Sequence, residues 1–563
     1  MPTYKTPNVY VEEVSTLPPS VVPVATAIPA FIGCTEKAGE NNEYRNSPIR
    51  VSSLLDYTTI FGDACATNFT VTLDENEQIS QIVTEDDSSV TPAYLMYYTL
   101  RLFFENGGGS CYVVSIGDYS TKPNKDQFVA GLAAIRKEDE PTLLLLTDAV
   151  NLPNSTDYYD LCQSVLRQCN DLKDRFAIFD ILARDRDTNG IGDDFRNGIG
   201  TEYLKYGAAY YPYLQTSLNY HYTDDSVAID GLSDVNGSAS DTIGEYLTGE
   251  NGLLVTYNGA QSDNPQLRIT VTTRQDIAVE LENNNGLVIR LPSGGATVTD
   301  ILATSTGVGS YSLAASGTGA ATIDTALETT PLTYATEPSG NASPTLGDAS
   351  IKTSKTALYN TIKTALSTLR IVMPPSGAIA GVYAKVDRER GVWKAPANVS
   401  LAAVIGPTIK INNEEQESLN IDPTAGKSIN AIRSFTGKGT LIWGTRTLAG
   451  NDNEWRYIPV RRLFNLIEES IQKATAFVVF ESNNAITWLK VKTIIESYLD
   501  GLWRQGALAG ATQQEAYFVK IGLGQTMTEL DILEGRMIVE IGVSAARPAE
   551  FIILRFSHKL QQI

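Results

Sequence analysis

Between residue 25 and about residue 215, wholly apolar runs alternate with stretches of helical periodicity, and this rhythm limits the possible folds more than any other feature. Ala27–Gly33, Cys111–Ile116, Thr142–Thr147 and Phe176–Leu182 are too apolar to show one face to water. Strands of this kind need a sheet covered on both sides. Between them the spacing predicts helices over Pro92–Asn106, Asp126–Lys137 and Thr156–Cys169, the last capped by Ser155. The rhythm stops near residue 225 and returns near Ser354. There Arg461–Thr475 carries Leu463, Ile467, Ile471 and Ala474 on one stripe. Thr487–Arg504 likewise carries Trp488, Val491, Ile495, Tyr498 and Leu502 on one face. Phe477–Phe480, Tyr517–Ile521 and Met537–Val543 read as further strands.

The interruption has a different composition. Residues 225–350 are rich in Gly, Ser, Thr, Ala and Asn, with strand-like pieces at Leu253–Tyr257, Leu267–Thr273 and Leu287–Leu291. Asn283-Asn284-Asn285-Gly286 and Pro292-Ser293-Gly294-Gly295 supply turns between such pieces. Residues 221–350 hold 16 acidic and 3 basic side chains, so most of the formal charge of −21 sits in a segment expected to face solvent. The two ends differ again. Val9-Tyr10-Val11-Glu12-Glu13-Val14 is strand-like and is followed by Pro18, Pro19 and Pro23, which resist helix and lack the amide donor. After Pro548, Phe551–Phe556 alternates like a strand. The expected organisation is α+β: an arm over 1–24, a mixed α/β core split into 25–224 and 351–546, an all-β acidic insertion over 225–350, and a second arm over 547–563.

Charge and composition exclude several functions. The acidic balance argues against a nucleic-acid binder, which needs a basic stripe. Cys34, Cys65, Cys111, Cys162 and Cys169 form no metal-type spacing and read as reduced, buried thiols, consistent with synthesis in a reducing cytoplasm. The first residues lack the apolar core of a secretory signal, and no apolar run reaches the ~18–20 residues of a membrane span.

Local look-alikes of catalytic sites are incomplete. Ala425-Gly426-Lys427-Ser428 resembles the end of a phosphate loop, but Ile421 stands where the first Gly is required, and a plain loop before a helix is expected. Asp185-Arg186-Asp187-Thr188-Asn189-Gly190 resembles a calcium loop, yet Arg196 replaces the bidentate Glu. Asp148 and Asp180 end strands, where catalytic carboxylates and helix caps both occur. His221 and His558 have no triad partner in the sequence. No catalytic residue, cofactor or metal ligand is expected. Two other classes remain: a glycan-cleaving enzyme using paired carboxylates, and a monomeric adhesin binding through the insertion.

Particular motifs then point to a family. Pro7–Val14 with Ala30-Phe31-Ile32-Gly33, Ile432–Phe435, Ile442–Leu448, Trp455–Leu463, Leu502–Gly510, Gly535-Arg536 and Arg547-Pro548-Ala549-Glu550-Phe551 resemble contractile tail sheath proteins, in the expected order. The resemblance covers roughly 1–220 and 355–563 and gives no motif for the insertion. It implies a helical homopolymer around an inner tube protein, with baseplate, terminal cap and sheath paralogues as partners; the charge and the lack of a long apolar run add the expectation of no nucleic-acid contact and no membrane anchor. The particle is a phage tail, a bacteriocin or a released injection system. The resemblance also implies terminal arms that add strands to neighbours: Val9, Tyr10, Val11 and Val14 at one end, Phe551, Ile552, Ile553, Leu554, Arg555 and Phe556 at the other. From the residues alone, Thr528–Gly535 reads as a capped helical turn, and its acids Glu529, Asp531 and Glu534 are a candidate inner-tube contact. Trp455, Trp488 and Trp503 are expected in the core. Arg461 and Arg462 are either a charged interface or solvated residues at a helix start.

Overall fold

The apolar runs form the centre of an eight-stranded sheet. In this computed structural model, residues 21–84, 91–182, 191–232, 244–247, 252–257, 265–273, 275–282, 286–315, 321–334 and 344–553 are described. The strands are β1 (Pro29–Cys34), β2 (Pro48–Val51), β3 (Cys111–Gly117), β4 (Leu143–Leu146), β5 (Phe176–Asp180), β6 (Gly207–Tyr211), β7 (Ile429–Phe435) and β8 (Gly439–Ile442). Their order is β2-β3-β1-β4-β5-β6-β7-β8. Neighbours from β3 to β7 are parallel, and β2 and β8 close the edges antiparallel. Every residue of β1, β4, β5 and β6 is buried, as strands without a polar face require. The helices packing on this sheet include α1 (Met96–Glu105), α2 (Lys125–Ile135), α3 (Ser155–Leu172) and α4 (Ser376–Arg390). The cap of α3 is Asn154, not Ser155: its side chain accepts from the Thr156 amide at 3.0 Å. Because β7 and β8 follow the insertion yet complete a sheet begun before it, one core is built from two stretches of sequence.

Two compact units result. The first comprises residues 1–67, 86–222 and 366–563, the second residues 68–85 and 223–365. The second unit is mainly β. A five-stranded and a four-stranded sheet share a core that includes Leu253, Val255, Leu267, Ile289, Tyr311 and Leu313. It is not all-β: the helix Val298–Thr304 contributes Val298 and Ile301 to that core. Its N-cap Thr297 forms a capping box with Asp300.

The C-terminal part of the first unit has its own core. Two long helices, α5 (Ile458–Thr475) and α6 (Ala485–Arg504), pack with a short helix α7 (Glu529–Leu533) and an antiparallel pair, β9 (Tyr517–Ile521) and β10 (Val539–Val543). Helix α5 is the bridge: Ile458 lies in the large core, and Leu463, Leu466, Ile467 and Ile471 lie in the small one. Phe477–Phe480 does not form the expected strand. Ala476–Val478 is a 3-10 turn, and Phe480 is fully exposed with φ +70.

Candidate functional site

The most distinctive surface lies along β10. Among the described residues, β9 and β10 pair only with each other, so both outer edges carry unpaired backbone groups. A groove of about 960 Å³ runs beside β10, walled by Phe464, Ile467 and Ile471 of α5 and by Val539, Ile541 and Val543 of the strand. A second groove of about 690 Å³ shares Phe464 and Val543 and continues along the far end of β10. The result is an apolar trough beside an open strand edge.

Residues 24–26 and Glu550 are each held by a buried arginine. Arg461 and Arg462, at the start of α5, are only 2% and 4% exposed, so neither the solvated nor the surface-interface reading holds. Arg461 donates to Asn465 Oδ1 at 2.8 Å and to Glu468 Oε1 at 2.9 Å, and lies 4.3 Å from the centre of the Trp455 ring. Arg462 grips both oxygens of Asp387 in α4 at 3.0 and 2.5 Å, stacks 4.7 Å from Tyr383, and donates to the Thr26 carbonyl at 2.7 Å. The amide of Val24 donates to Ser470 Oγ at 3.2 Å, so residues 24–26 are pinned to α5.

At the other end, Arg446 holds Glu550 through two bonds of 2.9 and 2.7 Å. Asn420 and Tyr457 donate to the same carboxylate at 2.8 and 3.1 Å. Burial works against the Glu550 charge, but these donors and the Arg446 charge outweigh it and hold the carboxyl below its ordinary range. Beyond it, Phe551, Ile552 and Ile553 have no regular secondary structure and are 66, 79 and 78% exposed. Val9, Tyr10, Val11, Val14, Leu554, Arg555 and Phe556 lie outside the described residues.

The candidate tube contact is a real capped turn. Thr528 caps α7 and shares a capping box with Asp531. Arg536 pairs with Asp531 at 2.8 Å and Glu534 at 2.5 Å, so one positive charge offsets part of the charge of the three acids. Leu530 and Leu533 are exposed beside it.

Three of the catalytic look-alikes lie among the described residues with structural partners. Asp148 accepts from the Leu95 amide at 2.5 Å and the Cys34 amide at 2.7 Å, at the start of α1. Asp180 accepts from the Ser376 amide at 2.8 Å, at the start of α4. Burial raises them to about 6 and about 7, against the pull of these donors. The Lys427 ammonium donates to the Arg196 carbonyl, Arg196 donates back to the Lys427 carbonyl at 3.0 Å, and the loop leads into β7 rather than a helix. Residues 185–190 lie outside the described residues, as does His558. Among the described residues no group of three or more His, Cys, Asp or Glu could hold a metal, and no helix is long and apolar enough to cross a membrane.

Comparison with known proteins identifies the family. The phage tail sheath protein central domain matches residues 261–448, and the phage tail sheath C-terminal domain matches residues 450–559. Together they take in more than half of the chain. The chain belongs to the contractile tail sheath family. The family match begins at residue 261, inside the segment for which the sequence offered no sheath motif. A tail sheath protein of Vibrio phage KVP40 is 25% identical over 33% of this sheath chain, and the match spans only 26% of that longer relative. Likeness to solved sheaths is more complete. The sheath complex of an extracellular contractile injection system, PVC, in its contracted state is 26% identical, with a TM-score of 0.55 and 100% and 99% of the two chains covered. The contracted helical sheath of the anti-feeding prophage is 27% identical, with a TM-score of 0.55 and 99% and 100% covered. The sheath motifs at Ile442–Leu448 and Arg547–Phe551 contain Arg446 and Glu550. Nothing in their spacing shows that the two side chains meet.

Proposed function

We propose that this chain is a structural subunit that polymerises into a helical contractile tube around an inner tube, and that contraction drives the inner tube through a target envelope. The observation that carries this reading is the open β9–β10 pair beside its apolar trough, in a chain that matches sheath structures along its whole length. An open edge and an apolar wall together suit an incoming strand, whose backbone pairs with the edge and whose alternate side chains fill the trough. Val9–Val14 is six residues, about 20 Å when extended, and β10 is five residues long. Arms containing Val9, Tyr10, Val11 and Val14, and Phe551–Phe556, are donated to neighbours, and the buried arginine clasps hold the bases of these arms in each donor.

The work of contraction comes from subunit repacking, not nucleotide hydrolysis. Even ~1 kcal/mol per subunit becomes decisive when summed along a polymer. The chain is not an enzyme, a reading supported by the way Asp148 and Asp180 are committed to helix starts. Its partners are itself, sheath paralogues, the inner tube, the baseplate and a terminal cap. It is made in the bacterial cytoplasm and carried in a phage tail or released particle. The acidic insertion faces outward, where like charge keeps particles apart. Deleting residues 1–20 tests the strand donation: the truncated chain should fold and stay soluble but form no tubes. Normal polymerisation without those residues would overturn the reading.

A further inference from the structure

Downstream of β10 the chain is held twice before its side chains turn outward. Its backbone is first tied to residues 507–516. Ala509 donates to the Ser544 carbonyl at 2.7 Å, Ser544 to Ala516 at 2.8 Å, and Ala546 to Ala507 at 3.0 Å. Four residues later the Glu550 carboxylate takes its four hydrogen bonds from Arg446, Asn420 and Tyr457. Arg446 and Glu550 have side chains only 4% and 15% exposed, whereas Phe551, Ile552 and Ile553 are open to solvent. Glu550 is therefore the last fixed point among the described residues of this end.

The partners of Glu550 do not belong to the small sheet. The Arg446 amide donates to Asn430 in β7 at 2.8 Å, and its guanidinium also reaches the Gly450 carbonyl at 3.2 Å. Asn420 closes the helix Asn413–Asn420, which packs on β7. Without Glu550, a pull on the chain end would meet only the backbone bonds of Ser544 and Ala546 before it reached β10, whose five pairs with β9 can open one after another. A carboxylate on a bidentate guanidinium, with two further donors, must release its bonds together.

We propose that Glu550 is the positioning residue of the C-terminal segment. It sets where residue 551 leaves the fold and passes load to Arg446 and the eight-stranded sheet, sparing β10. This rests on the reading that the segment pairs with a neighbouring subunit.

A purely structural role and an anchoring role separate in a double variant. Arg446→Met with Glu550→Leu removes both charges at once, and exchanging a buried ion pair for apolar side chains leaves stability little changed. Urea unfolding of the dispersed chain is read beside sedimentation of the polymer, with wild type, Glu550→Gln and a chain lacking residues 551–563 in parallel. The double variant should unfold close to wild type, yet its sedimentable polymer should fall about tenfold or more, since a single charged hydrogen bond is worth that factor. Glu550→Gln keeps an amide oxygen for Arg446 to bond but leaves its charge unpaired, so it should fold with a lowered urea midpoint and also lose polymer. Wild-type polymer from a folded double variant overturns the anchor. If the double variant fails to fold, wild-type polymer from Glu550→Gln overturns it instead. Normal assembly by the chain lacking residues 551–563 overturns the strand-donation reading beneath it.

Discussion

Replacing Asp387 with Ala strands the Arg462 guanidinium inside the protein. The two side chains are each 3% exposed, and what remains to Arg462 is one carbonyl, that of Thr26, and the face of Tyr383. Breaking a buried pair from one side costs about 3–5 kcal/mol, because the other charge stays desolvated. At about 2 cal/mol/K of unfolding entropy per residue, a unit of roughly 400 residues should lose about 4–6 °C of melting temperature. Urea unfolding followed by tryptophan fluorescence gives the free energy directly. Asp387→Leu with Arg462→Met should return to within about 1 kcal/mol of wild type, since no charge is then left buried. A loss below about 1 kcal/mol for Asp387→Ala would refute the argument, as would a double variant no better than the single. The same substitution should also free residues 24–26, which hydrogen exchange would register as faster exchange at the Val24 amide.

Three further outcomes follow from the geometry. Burial holds Asp180 near 7 in the fold against an ordinary value of about 3.9, so its contribution to stability is full below about pH 4 and lost as the pH rises through about 7. Asp180→Asn should therefore gain on wild type by up to ~1.4 kcal/mol per pH unit across that window; urea midpoints at a constant gap would contradict it. Gly33→Ala should cost about 1–3 kcal/mol or more, because a β-carbon there would lie 2.0 Å from Thr147 Oγ1 and 2.2 Å from Asp148 Oδ2; a melting temperature equal to wild type would be evidence against the tight seat of that carboxylate. Replacing Glu529, Asp531 and Glu534 with Lys should give particles that contract early or assemble without a tube, and extended wild-type particles in electron micrographs would remove α7 as the tube contact.

What was legible in the sequence was whatever obeys a short period. The stripes of α5 and α6 follow from local spacing, and β4 was legible from its place in the alternation of apolar runs with helices. Phe477–Phe480 misled because a short apolar run carries no period, and here it turns out of the core at Phe480 instead of pairing. The helix Val298–Thr304 was hidden by the Thr-rich composition around it, although Thr297 and Asp300 already spelled a capping box. The lysine of the phosphate-loop look-alike could not be judged from spacing, since its partner Arg196 is 231 residues away. The arginine clasps were invisible for the same reason. Arg462 and Asp387 lie 75 residues apart, and Arg446 and Glu550 lie 104 apart. Local periodicity says nothing about pairs that only the finished fold brings together. Charge alone pointed Arg461 and Arg462 toward the surface, and four aromatic rings with a buried carboxylate keep them inside.

Negative-stain electron microscopy of the full-length chain, expressed alone and concentrated, tests the central claim most directly. A subunit that donates strands to an open edge should give long hollow tubes with a regular helical repeat, in the absence of any nucleotide. Compact single particles at every concentration, from a chain whose circular dichroism and unfolding show it to be folded, would contradict the account.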